Sequence, residues 1–223
     1  WSSGMNWTET LHTLDLAGLR TVLESPAGSA RDSRRALDRE RMHVTRSTRR
    51  EFIDGLRVQN AVRTLERLPA VGESFHIVMA GNFDSFDLTP AVLDLAAPAT
   101  IKELNLSTLG LNEKNTTTLL GLLDAGQVER CTFICSVYFR SVEDGGRIFE
   151  TLHRELTRRG HHCCAIRSHA KVTLMELSDG RCLTWESSAN LRSCRNIEQA
   201  VLTNDRELLE FHRRWMMEVM RHE

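Results

Sequence analysis

From Gly72 to the C terminus, short apolar runs alternate with amphipathic stretches at a spacing that leaves few ways to fold. Phe75 to Ala80, Ile101 to Leu106, Val128 to Phe139 and His162 to Arg167 read as strands. Leu88 to Ala96, Glu113 to Ala125 and Gly146 to Arg159 read as the helices between them. Strand, helix, strand repeated in this way predicts parallel neighbours joined by crossover helices, the signature of an α/β domain. A last helix, Asp205 to Arg221, carries Leu208, Phe211, Trp215 and Val219 on one stripe with Leu209, Met216 and Met220 beside it, so it must pack against something. With 223 residues, 41% apolar and 26% charged, the chain can bury an ordinary globular core.

Ahead of Gly72 the composition changes. Thr8 to Leu68 is Arg-rich and reads as helical, and it defines an extension over residues 1–70 that precedes an α/β domain over 72–223. Leu16, Leu19 and Leu23 mark a short helix that breaks at Ser25-Pro26-Ala27-Gly28-Ser29. Phe52, Ile53, Leu56, Val62 and Leu65 mark a second, which stops at Leu68-Pro69. Between them, residues 31–50 hold eight arginines against the acids Asp32, Asp38 and Glu40. Such a run serves either as a solvated helix face laced with ion pairs or as a contact for a phosphate backbone, with Arg46, Arg49 and Arg50 as the candidate contacts. Trp1-Ser2-Ser3-Gly4 looks like a cloning remnant ahead of a natural start at Met5.

Composition excludes several classes. A net charge of −1 supplies no global field for a polyanion, so any nucleic-acid affinity must come from a local patch. No run of eighteen apolar residues exists, and the first sixteen residues lack a signal peptide's apolar stretch; a cytoplasmic protein with no membrane partner is expected. Cys131, Cys135 and Cys182 fall in apolar strand-like runs, which favours reduced, buried thiols over a disulfide framework. In His161-His162-Cys163-Cys164, neighbouring side chains of a strand point to opposite faces, and no second cluster accompanies them, so no metal and no cofactor is expected.

The chemistry concentrates in His169-Ala-Lys171, Ser187-Ser188-Ala189-Asn190 and Asn196-Ile197-Glu198. Val172 to Leu177 alternates as a strand, Ser178-Asp179-Gly180-Arg181 reads as a turn, and Cys182 to Trp185 begins a returning strand, so a hairpin brings the two ends together. In extended chain, His169 and Lys171 share a face, and Ser188 and Asn190 repeat that relation on or just beyond the partner strand. An imidazole, an ammonium and an amide converging on one point suit a phosphate. Neutral histidine is a nucleophile, while lysine and asparagine stabilise charge on phosphoryl oxygens.

This arrangement resembles the H-x-K and G-S-x-N signature of the phospholipase D superfamily, with Glu198 in the place of the acid that follows the Asn. The resemblance is closest from His169 to Glu198 and extends from about Gly72 to the C terminus. It implies a mixed, mainly parallel sheet flanked by helices, here with an N-terminal helical Arg-rich extension. It also implies that His169 attacks phosphorus and forms a phosphohistidine, that Lys171 and Asn190 hold phosphate oxygens, that Glu198 orients the histidine, and that Ser188 is a further hydrogen-bonding group. Ser187 stands where the family has Gly, Glu176 stands where it has Asp, and the stretch from Glu176 to Ser187 is longer than usual. Residues 1–168 contain no second motif of this kind, so the chain carries half a site, and the resemblance implies a homodimer. The activity implied is a metal-independent phosphodiesterase, foremost a nuclease with DNA as substrate or ligand. A catalytically silent, phospholipase D-like nucleic-acid-binding or assembly protein is the alternative, and lipid hydrolysis is a weaker third.

Overall fold

A computed structural model describes residues 42–46, 49–53, 57–79, 85–192 and 196–221, all within one compact unit, Arg41–Glu223. The helix expected around Leu16 to Leu23 and the acids Asp32, Asp38 and Glu40 lie outside the described residues. In chain order the elements are β1 (Met42–Arg46), β2 (Arg49–Ile53), α1 (Arg57–Leu65), β3 (Ser74–Met79), α2 (Leu88–Ala96), β4 (Ile101–Thr108), α3 (Glu113–Asp124), β5 (Val128–Ser136), α4 (Val137–Ser141), α5 (Glu143–Arg158), β6 (His162–Ile166), β7 (Val172–Leu177), β8 (Cys182–Ser187), β9 (Glu198–Asn204) and α6 (Arg206–Arg221).

The expected alternation is present, and its boundaries have local causes. Asn112 caps α3 by accepting from the Asn115 backbone N–H at 2.8 Å. Ser136 caps α4 in the same way through Tyr138 at 3.2 Å, which ends β5 before the Phe139 expected for it. At the tip of the β7–β8 hairpin, Gly180 takes a φ of 92°, a conformation open to glycine and costly for most other residues.

The sheet order is β2-β1-β3-β9-β8-β7-β4-β5-β6. Only β4 with β5 and β5 with β6 are parallel; the other neighbours are antiparallel. The mainly parallel sheet expected from the alternation is therefore corrected to a mixed, mostly antiparallel one. The strands joined by α2, β3 and β4, do run in the same direction, but β9, β8 and β7 lie between them. The strand Glu198–Asn204, not foreseen as an element, fills one of those places. Residues 42–46 and 49–53, expected as helical, are strands that pair antiparallel, with Arg46 at the register position opposite Arg49, at the β3 edge. Val44, Thr45, Phe52 and Ile53 are residue types that suit extended chain.

One face of the sheet carries the main core, with Phe75, Leu104, Leu106, Phe133, Met175, Leu183, Trp185 and Leu202 against apolar residues of α1, α2, α3 and α5. The opposite face packs Ile134, Val172, Leu174 and Cys182 against Leu209 and Met216 of α6. Within α6, the inward stripe is Leu209, His212 and Met216, whereas Phe211, expected to pack, is 56% exposed. Cys163 belongs to the first cluster and Cys164 to the second, as opposite faces of a strand require. The five cysteines 131, 135, 163, 164 and 182 are free and buried, and burial pushes the thiols of Cys131 and Cys135 up to about 12; Cys194 lies outside the described residues. No helix among the described residues is long and apolar enough to cross a membrane.

Candidate functional site

Strand directions gather the motif. β4, β5, β6 and β8 end at one edge of the sheet, and β7 and β9 begin there. His169 and Lys171 immediately precede β7, Ser188 and Asn190 immediately follow β8, and Glu198 opens β9. Since β7, β8 and β9 are successive neighbours, all five residues lie at one end of three adjacent strands. The hairpin register pairs Val172 with Glu186, and the Ser187 N–H donates to the Lys171 carbonyl at 3.1 Å, so the two motif halves meet at the open end of the hairpin. Ser188 and Asn190 themselves lie beyond the regular strand.

Lys171 is the hub of the charged groups. Its Nζ is 3.0 Å from Nδ1 of His169 and donates to the His169 carbonyl at 3.1 Å. Burial lowers the pKa of its ammonium, and the negative charge of Glu198 opposes that shift. The Glu198 carboxylate accepts from the Ser188 hydroxyl, which also accepts from the Gln199 backbone N–H at 3.0 Å. Glu198 is thereby joined to Ser188 by a hydrogen bond and to Lys171 by charge. His169 is exposed, and Lys171, Asn190 and Glu198 are half-buried. The amide oxygen of Asn190 is buried and has no hydrogen-bond partner.

Glu176 sits at the far end of β7 from the motif. Its carboxylate accepts from Arg213 of α6, and Arg206 stands 3.8 Å away. Arg213 also meets Glu210 at 2.6 Å and Glu103 at 3.2 Å. This is a clasp between sheet and helix, at the opposite end of β7 from His169 and Lys171. Arg46, Arg49 and Arg50 lie on the paired strands β1 and β2; their side chains are outside the described residues.

Sequence reasoning passed over a second histidine and carboxylate close to the motif. The Trp215 indole N–H donates to Nδ1 of His212 at 3.0 Å, which leaves the proton of the neutral ring on Nε2, 3.1 Å from a Glu186 carboxylate oxygen. Spacing gives no sign of this pair, because α6 and β8 meet only through the tertiary fold. A groove of about 520 Å³ on the less covered face is lined by His76, Val78, Glu186, Ser188, Gln199 and Val201. It reaches the site at Ser188. Among the described residues, no group of three or more His, Cys, Asp or Glu is gathered to hold a metal ion.

No protein-family model matches the chain, and no curated protein matches it.

Proposed function

We propose that the protein is a phospholipase D-type phosphodiesterase, a metal-independent nuclease whose complete site is shared by two copies of the chain. The observation that carries this reading is the meeting of His169, Lys171, Asn190, Ser188 and Glu198 at one end of β7, β8 and β9, with Lys171 touching His169 and sensing Glu198. The less covered sheet face beside Ser188, where Val78 is 43% exposed, offers the second copy a place next to the site.

The resting geometry suggests how substrate would start the reaction. An ammonium has only protons to give, so Nδ1 of His169 turns its lone pair to Lys171 and the neutral ring carries its proton on Nε2. That tautomer cannot attack through Nε2. A phosphate that draws Lys171 onto its own oxygens releases Nδ1 to take up the proton, and Nε2 becomes the bare nucleophile. The Nε2–phosphorus bond then forms as the phosphorus–oxygen bond to the leaving group breaks. The leaving oxygen takes a proton from His169 of the partner subunit, and water later hydrolyses the phosphohistidine. Lys171 and Asn190 stabilise the charge that builds on the phosphoryl oxygens.

The test is cleavage of DNA, RNA and a generic diester by pure protein in EDTA, with His169→Ala as control. Turnover in EDTA that His169→Ala abolishes supports the reading. Activity lost in EDTA and restored by magnesium overturns it, and no cleavage by folded dimer points to the silent nucleic-acid-binding protein.

A further inference from the structure

We propose that Ser107 and Thr108, consecutive at the carboxyl end of β4, are positioning residues that hold the two halves of the motif in mutual alignment; the inference rests on the phosphodiesterase reading of the site. Ser107 grips the first half, its hydroxyl donating to the carbonyl of Ala170, between His169 and Lys171, at 3.2 Å. Thr108 grips the second. Its hydroxyl accepts the backbone N–H of Leu191, next to Asn190, at 3.1 Å and that of Gly110 at 3.3 Å, and it donates to the Gly110 carbonyl at 3.1 Å. One donor and two acceptor positions exhaust a hydroxyl, so the Thr108 side chain is fully committed. Both residues are only 1% exposed, where a broken hydrogen bond leaves its partner without water to replace it.

The path of the chain explains why such a grip is needed. β7 lies between β8 and β4, so the segment leaving β8 has to cross the head of β7, where Lys171 stands, to reach β4. It arrives there as a parallel bridge from Leu191 to Leu111, and Asn115 donates to the Leu191 carbonyl at 3.2 Å. Ala189 and Leu191 are sunk in the core on either side of the half-buried Asn190. Gly110 completes the turn because a Cβ there would stand 2.6 Å from the Phe139 ring. Asn190 therefore takes its place from Leu191, and Leu191 takes its place from Thr108.

Thr108→Val keeps the side-chain shape and removes both the acceptor and the donor. In EDTA it should lower kcat on a generic diester by about 10- to 100-fold, the cost of misplacing a catalytic group by about 1 Å, with little change in KM. Thr108→Ser, which restores the hydroxyl, should recover most of that loss. In ¹H–¹⁵N spectra of the full chain, Thr108→Val should move the Leu191 amide and the Asn190 side-chain pair, and Ser107→Ala should move the His169 ring signals. A Thr108→Val protein with wild-type kcat, a loss that Thr108→Ser does not recover, or unmoved Leu191 and Asn190 signals would overturn the proposal. Should the wild type cleave nothing, the phosphodiesterase reading falls, and the spectra alone decide whether Thr108 places Asn190.

Discussion

At Asn190 the fold spends little on a polar group that it half buries. Its amide oxygen has no partner, while the residues on either side are anchored in the core. A side chain held by its neighbours can change identity without much effect on the fold. Asn190→Ala should leave the melting temperature near wild type and lower kcat by about 10²- to 10³-fold, as removal of one preorganised donor to a developing oxyanion does. Paired melting curves and steady-state rates check this, and a variant that melts early with unchanged kcat would contradict it. That His169 and Lys171 come to the same end of adjacent strands as Ser188 and Asn190 was legible in the sequence because a hairpin converts spacing directly into proximity. Glu198, by contrast, arrives there on β9, a strand the sequence did not mark. Thr108 and Asn115 were not legible, since their bonds to Leu191 span 83 and 76 residues and depend on which strand lies beside β7. No local pattern records that neighbour.

Elements are joined by ionic contacts whose pH dependence can be worked out. A hydrogen bond from Arg213 is the main cause holding Glu176 below its ordinary carboxylate range, against the opposing effect of burial. A carboxylate depressed in the folded state adds stability above its unfolded pKa, near 4.3, and that contribution is lost as pH falls through the folded value. Glu176→Gln should therefore cost about 1–2 kcal/mol at pH 7, between the worth of exposed pairs and the cost of breaking buried ones, because Arg213 keeps Glu103 and Glu210. The difference should shrink towards zero in acid, where Glu176 is protonated in wild type as well. Urea unfolding of both proteins over a series of falling pH measures this; a gap that stays constant as pH falls would assign the loss to packing.

The β1–β2 pair belongs to the same scale. Its register places Arg46 opposite Arg49. Charge reversal at Arg46, Arg49 and Arg50 should weaken DNA binding irrespective of base sequence and reduce the slope of log affinity against log salt by about 0.9 for each phosphate that is no longer neutralised. A salt titration with an unchanged slope would remove the pair from the binding surface.

For the whole molecule, local alternation predicted strand directions correctly and adjacency poorly. β3 and β4 point the same way as their connecting helix requires, yet β7, β8 and β9, contributed by the last third of the described chain, insert between them. The same insertion builds the site, because it brings the starts of β7 and β9 and the end of β8 to one edge. What the chain does not contain is a second histidine motif, and on the proposed mechanism the leaving oxygen needs its proton from another copy. This makes a quantitative prediction about mixing. If each productive site uses His169 from both subunits, a mixed dimer of wild type and His169→Ala lacks either the nucleophile or the acid. After the two proteins exchange subunits at constant total concentration, activity should fall as the square of the wild-type fraction, to about one quarter in an equal mixture. A site complete within one chain would instead follow the fraction itself, to about one half. Sedimentation should show dimer at micromolar concentration, and a linear mixing curve would assign the whole reaction to a single chain.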